Sequence, residues 1–381
     1  MKKRIKMVMM VLLSVSMSLG ICQNGVAQQS NAGSTETQTA MAETEIEDAV
    51  TAKFSEYYSI DDVQLTLCGV HDVQGRTEYF YKVQLSAMLR YTTVEDMDYF
   101  QGLLGAAGIE LEAEEIFSCV SRSADDIRIE LQPYAPAVFN YLDEEYKRLD
   151  AYIGEQQIIP FYMKAVVDGD YHVELFMDAG DDYAPFEEYD LGTRDELKLA
   201  GALCMSEEME EVAAACDNGV MSVESYAVRA SSEANAVLYM VFYTSNPSVC
   251  DYCGGACDAI RDRSKWNNGA YPADNGHGDC ANYISQALKN AGFADTEAWS
   301  YNTETWKRVS LLIPHMLSKG RIGIAPSGVI KVGYLAASSS HIMMVTAFDG
   351  VSYRYSAHTR DRRDVAMALG SSYQHYNVNY Q

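Results

Sequence analysis

Hydrophobic and polar residues alternate in several stretches of the first half of the chain. The alternation is clearest at residues 63–67, 79–85, 158–167 and 171–177. A period of two is typical of strands that bury one face. Asp168-Gly169-Asp170 separates the last two stretches, so they are predicted to form a hairpin. A shorter and weaker strand is predicted at residues 127–131.

Other stretches have hydrophobic residues three or four positions apart, which is typical of amphipathic helices. These helices are predicted to begin near Ile46 and to cover residues 95–107, 135–153, 197–215 and 222–243. Together with the strands they predict an α+β fold. We place a domain boundary before the last helix, giving an acidic N-terminal α+β domain at residues 46–221 and a C-terminal domain at residues 222–381.

A short helix is predicted over residues 280–291. Asp279 is a good N-cap residue, the hydrophobic positions from Ile284 to Ala291 form one face, and Gly292 is a typical helix stop. Cys280 is then the first helical residue, where the helix dipole favours a thiolate. The alternative is that Cys280 is an ordinary core or disulfide cysteine.

A nucleophilic thiol needs a base, and the base needs an orienting partner. His341 precedes the apolar stretch 342–348, Asp349-Gly350 forms a turn, and His358 follows the next predicted strand at residues 351–356. The start of one hairpin strand lies beside the end of the next, so the two histidines are predicted to be neighbours. Cys280, His341 and His358 therefore form a candidate catalytic triad.

The first residues resemble a secretion signal. Residues 1–27 have a basic start, a short apolar stretch and a small-residue cleavage site ending at Ala27. Ile21 fits poorly before a lipid-attachment cysteine, so a lipid anchor at Cys22 is not expected. Residues 28–45 are polar and are predicted to be a disordered leader. The chain is thus expected to act outside the cell, without a transmembrane segment.

Charge is distributed unevenly along the chain. Residues 28–250 contain 12 Lys and Arg against 43 Asp and Glu, whereas residues 251–381 contain 13 against 11. This acidity argues against a nucleic-acid partner. The acidic runs are interpreted as solvated helix faces, so neither a metal site nor a cofactor is predicted. The oligomeric state is left open.

Nine cysteines in a secreted chain favour disulfides. If Cys280 is reactive, an odd number of mature cysteines remains, so one other thiol is free, metal-bound or intermolecular. Cys250, Cys253 and Cys257 fit either a local disulfide or part of a zinc site, and disulfides are preferred because no second Cys-x-x-Cys is present. The disulfide candidates are Cys68, Cys119, Cys204, Cys216, Cys250, Cys253 and Cys257.

Residues 278–286, Gly-Asp-Cys-Ala-Asn-Tyr-Ile-Ser-Gln, carry a family resemblance. They are similar to the Gly-Asp-Cys-x-Asn-Phe-x-Ser-Gln signature of the putative amidase domain family, a group resembling papain-like bacterial thiol hydrolases of the NlpC and CHAP types. Ser340-His341 and residues 355–362 resemble the family's base strand and terminal motif. The candidates for substrate or oxyanion contacts are Asp279, His277, Asn282, Gln286, Trp299 and Trp306.

The resemblance implies a papain-like C-terminal domain with Cys280 as nucleophile, His341 as base and His358 as third member. It implies a secreted amidase or peptidase that acts through an acyl-enzyme on peptides, with cell-wall peptidoglycan as the expected substrate. Two alternatives remain. One is a catalytically silent binding module with Cys280 in a disulfide, and the other is a transpeptidase or acyltransferase that uses the same triad with an amine acceptor.

Overall fold

A computed structural model describes residues 32–111, 115–217, 223–251, 260–272 and 279–380. The first half of the chain forms a five-stranded antiparallel sheet with strands in sequential order. Its strands are β1 (Tyr58–Val73), β2 (Arg76–Leu89), β3 (Gln157–Val167), β4 (Val173–Asp178) and β5 (Tyr183–Pro185). The β3–β4 hairpin confirms the prediction made from the alternating pattern.

The first helix, α1 (Ala32–Phe54), begins much earlier than the sequence indicated. Ala42, Ile46, Val50 and Phe54 are completely buried and lie four residues apart, so they form one continuous face. Phe54 stacks on Phe161 of β3 with ring centroids 5.8 Å apart. The prediction of a disordered leader at residues 28–45 therefore does not hold from Ala32 onward, because this helix packs on the sheet.

Helices α2 (Asp98–Ala107), α3 (Ala135–Asp150) and α4 (Arg194–Asp217) confirm three predicted helices. The prediction of a strand at residues 127–131 is wrong. These residues form no strand and lie between two short 3₁₀ helices, Ala124–Asp126 and Gln132–Tyr134. Helices α2 and α4 cross closely. A Cβ on Gly102 would lie 1.9 Å from the Lys198 carbonyl oxygen, so only glycine permits this crossing.

The second half of the chain forms a six-stranded antiparallel sheet with order β10-β9-β8-β7-β11-β6. Its helices are α5 (Val223–Phe242), α6 (Cys280–Asn290), α7 (Glu304–Lys307) and α8 (Val309–Ser318). Its strands are β6 (Ile322–Ile324), β7 (Leu335–Ala337), β8 (Ile342–Phe348), β9 (Tyr353–Ala357), β10 (Arg362–Ala366) and β11 (Gln374–Val378). The α+β class is confirmed, with two antiparallel sheets.

Two hydrophobic cores support the site. The smaller one packs α5, α6 and α8 on one face of the second sheet. The larger one joins residues from both halves of the chain, from Ala42 and Phe161 to Val345 and Val365. The domain boundary at residues 221 and 222 therefore stays a prediction, since packing continues across it.

Buried charges also join the two halves. The Asp178 carboxylate, at the end of β4, is fully buried and pairs with Arg362 Nε at 2.5 Å and Arg360 Nη1 at 3.5 Å. The Arg362 guanidinium lies over the Tyr162 ring, 3.6 Å from its centroid. Burial opposes ionisation of Asp178, but the two arginines outweigh it and hold its pKa below the usual value.

The cysteines of the N-terminal half are not paired with one another. Cys68, Cys119, Cys204 and Cys216 are free thiols, so the disulfides predicted for these four are not made in the structure. Cys119 instead donates to the Phe139 carbonyl and Cys204 to the Ile330 carbonyl. Cys253 and Cys257 lie outside the described residues. Within the described part of the chain, no helix is both long and apolar enough to cross a membrane.

The buried Asp178 pairs predict a large effect on stability. Asp178→Ala leaves two arginines without their carboxylate, and breaking a buried pair in this way costs about 3–5 kcal/mol. We expect a reduction of that size in the free energy of unfolding, measured by urea denaturation at pH 7.

Asp182→Ala is the matched control. Asp182 is exposed, and among the described residues its carboxylate accepts only from the neighbouring Tyr183 amide. Its expected cost is within about 0.5 kcal/mol. Equal stability of the two variants would show that the ion pairs do not hold the halves together.

Candidate active site

Helix α6 begins at Cys280, as the sequence predicts, but its cap differs. The Asp279 carboxylate makes no bond to the first-turn amides. It accepts instead from Asn282 Nδ2 at 2.7 Å and lies 2.7 Å from His358 Nδ1. The capping role expected of Asp279 is therefore taken by another residue.

That residue is Thr359. Its Oγ1 accepts from the amides of Asp279, at 3.0 Å, and Cys280, at 3.2 Å. Thr359 has a φ of 84°, a left-handed conformation that a β-branched residue rarely adopts. Strain of this kind persists only where surrounding contacts enforce it. The hydroxyl thus lies where two amides at the start of α6 converge.

The Cys280 sulfur lies against the start of β8. It donates to the Ser340 carbonyl at 3.8 Å and receives a hydrogen bond from the Ile342 amide. These two residues flank His341 in the chain. The fold therefore brings the sulfur of the candidate nucleophile against the backbone on both sides of the predicted base.

Burial determines the charge state of this pair. Burial raises the pKa of the Cys280 thiol, although hydrogen bonds from Ile342, Thr359 and Ala281 oppose the change. Burial lowers the pKa of His341 to about 4, with the charges of Asp181 and Asp178 acting against it. Contrary to the expectation from the helix dipole, thiol and imidazole are both neutral in this structure near pH 7.

His358 does not contact the His341 ring. Its Nδ1 lies 2.7 Å from Asp279 Oδ2 and its Nε2 lies 2.8 Å from the Tyr243 carbonyl oxygen. Its ring is stacked between Tyr283, with centroids 3.5 Å apart, and Trp266, with centroids 4.4 Å apart. Both ring nitrogens are thus occupied, and His358 connects the start of α6 to the end of α5.

The expected substrate contacts on α6 serve the core. Asn282 Oδ1 accepts from Trp306 Nε1 at 2.7 Å, and Gln286 Oε1 accepts from the Tyr239 hydroxyl at 2.6 Å. Trp299 donates to Ser285 and stacks on Trp306. All these side chains are buried, so they support α6 rather than face a substrate. His277 lies outside the described residues.

The sequence did not indicate that residues 178–182, here called the 178–182 loop, would contact the turn that precedes His341. Asp181 Oδ2 accepts from Ser338 Oγ at 2.5 Å and Ser340 Oγ at 3.2 Å. Both serines belong to the turn that precedes His341. No local pattern links this acidic loop to a turn more than 150 residues later, so only the folded chain reveals it.

Residues 231–380 match the family model described as the putative amidase domain, whose named activity is the hydrolysis of amides. The match includes Cys280, His341 and His358. Neither the curated proteins nor the solved structures gave a match to this chain. The region from residue 231 to residue 380 is therefore similar to the putative amidase domain family.

Proposed function

We propose that the protein is a cysteine-dependent amidase in which Cys280 is the nucleophile and His341 the base. The observation that supports this proposal is the contact of the Cys280 sulfur with the Ser340 carbonyl and the Ile342 amide, the backbone groups on either side of His341. A thiol at a helix start next to a histidine at a strand start is the pairing that acyl transfer needs.

The neutral pair defines the first step. As the sulfur attacks the amide carbonyl carbon, its proton moves to the His341 imidazole and the carbonyl π electrons move to oxygen. The intermediate then breaks its C–N bond, and the imidazolium returns the proton to the leaving amine. Water attacks the resulting thioester with His341 as base, which releases the acid and restores the thiol.

The developing oxyanion needs donors. The Cys280 and Asp279 amides both point at Thr359 Oγ1. We place the substrate oxygen at the same position, with the Thr359 hydroxyl turned away when substrate binds. Two amides at a helix start are suited to this role, because the helix dipole adds to their attraction for negative charge.

His358 has a supporting role in this proposal. Its two ring nitrogens face oxygen atoms of Asp279 and Tyr243. The resulting bridge fixes Asp279, the residue before the nucleophile, against α5. We therefore assign His358 to holding the start of α6 rather than to orienting His341.

The proposed substrate is a peptide amide outside the cell, with the stem peptides of peptidoglycan as the first candidate. Support comes from the signal-like residues 1–27 and from the resemblance to cell-wall hydrolases. Transfer to an amine acceptor uses the same acyl-enzyme, so an added amine should be present in one arm of the assay. A silent binding module would retain peptide without cleaving it.

We expect Cys280→Ala and His341→Ala each to lower amide hydrolysis by about a thousandfold or more, because each removes one member of a pair that acts together. The measurement is release of new amino groups from purified peptidoglycan peptides, followed by mass spectrometry.

Cys204→Ser and His315→Ala are the matched controls. Cys204 donates to the Ile330 carbonyl and His315 lies beside Thr296, so neither contacts the Cys280 sulfur. Both should retain wild-type rates. Undiminished cleavage by Cys280→Ala would refute the mechanism, and binding without cleavage by the wild type would favour the silent module.

Burial of His341 also predicts a pH dependence of stability. The unfolded imidazole takes up a proton near pH 6.5, whereas the folded one does so only near pH 4. Between these values the unfolded state binds more protons, so stability is lost as the pH falls from 6.5 to 4. The loss from this residue amounts to about 3 kcal/mol.

His341→Gln should remove that part of the pH dependence. Urea unfolding of both proteins at pH 7, 5 and 4 gives the difference directly, and His375, which is also buried, contributes equally to both. Parallel curves for the two proteins would mean that His341 is not held neutral by the fold.

A further inference from the structure

We propose that Asp181, supplied by the N-terminal half of the chain, is the positioning residue that holds His341 in its working place beside Cys280. The inference rests on the proposed cysteine mechanism. It adds to that mechanism a residue from outside the family match. The N-terminal half is then a component of the active site.

A chain of hydrogen bonds connects the Asp181 carboxylate, through the Ser338 hydroxyl, to the His341 backbone. A carboxylate only accepts, so Ser338 Oγ must direct its single proton to Asp181. The same oxygen accepts from the His341 amide at 3.0 Å and the Ser340 amide at 3.3 Å. The Ser338 amide donates to the His341 carbonyl at 2.9 Å and closes the turn.

Asp181 is also linked to the Cys280 sulfur through Ser340. Asp181 also accepts from Ser340 Oγ, and the Ser340 carbonyl is the acceptor of the Cys280 thiol. One carboxylate thus restrains both the residue that carries the base and the carbonyl that faces the nucleophile. Loss of Asp181 would release both restraints together.

Asp181 also acts on His341 through its charge. Among the charged groups that act on His341, Asp181 and Asp178 favour its protonated form, whereas Arg360 and Arg362 oppose it. Asp181 has the largest effect of the four. Asp279 is the acidic group with the largest effect on Cys280. The Asp181 charge therefore acts on the base, and it favours the imidazolium that forms when the thiol loses its proton.

The fold holds the 178–182 loop firmly against this turn. Asp178 is fixed by its two buried arginines, and Gly180 has a φ of 89°. A Cβ on Gly180 would lie 2.6 Å from the Met343 methyl carbon and 2.3 Å from the Tyr373 hydroxyl. The left-handed φ favours glycine here, and a side chain would displace the ends of the Met343 and Tyr373 side chains; Asp181 follows directly.

The test measures the reactivity of Cys280 in the full chain with iodoacetamide, between pH 5 and 10, by peptide mass mapping. Asp181→Asn removes the charge and keeps the shape, whereas Asp181→Ala also removes the acceptor. We expect labelling of Cys280 at pH 7 to slow by about three- to tenfold in Asp181→Asn, and the midpoint of its pH profile to rise. Asp181→Ala should be slower still.

Asp182→Asn is the matched control: it makes the same charge change one residue away, on an exposed side chain whose carboxylate accepts from the Tyr183 amide instead of from the turn before His341. The exposed thiol of Cys216 serves as an internal reference in every sample. Thermal unfolding of each variant shows whether the fold is retained. If Asp181→Ala does not fold, Asp181→Asn still decides the question.

Wild-type labelling and an unchanged pH midpoint in Asp181→Asn would overturn the inference, as would an equal effect of Asp182→Asn. His341→Ala separates this failure from failure of the proposed function. If His341→Ala alters Cys280 reactivity and Asp181→Asn does not, only the positioning role is lost. If His341→Ala also has no effect, the cysteine–histidine mechanism itself is wrong.

Discussion

The buried contact between Asp178 and the arginines at 360 and 362 is the constraint on which the site depends. A carboxylate with no exposed surface is tolerated because two guanidinium groups and the Gly180 amide surround it. Its partners belong to the segment that carries Thr359, and its own chain continues into Asp181. One ion cluster thereby links the segment whose Thr359 accepts from the Cys280 amide to the loop whose Asp181 contacts the turn before His341.

The site is built from elements that do not themselves take part in chemistry. Thr359 caps α6 from the far end of the chain, and His358 ties Asp279 to α5. The tryptophans at 299 and 306 use their indole N–H groups to hold the polar residues of α6 in the core. Because these polar groups are hydrogen-bonded, the start of the helix is held in a single position. A thiol fixed in this way reacts better than a mobile one, because it stays oriented toward its target.

Much of the fold and the position of the proposed nucleophile could be predicted from the sequence, because the signals are local. Asp279, the apolar face of α6 and Gly292 define one helix, and Asp349-Gly350 defines the hairpin after His341. The role of His358 could not be predicted, since two aromatic rings from distant positions capture it. Asp181 gave no signal either, because its partners Ser338 and Ser340 meet it only through the docking of two sheets.

The core shared by both halves limits how the region of the family match can be separated from the rest of the chain. The family match starts at residue 231, yet residues inside it pack against aromatic and charged groups encoded far upstream. A gene fragment cut at that point would expose Arg362, Val345 and Tyr334 to water and would lack the Asp178 carboxylate. The family match is thus shorter than the unit that packs as one core. Recombination that exchanges the matched region between proteins would have to carry the upstream sheet with it.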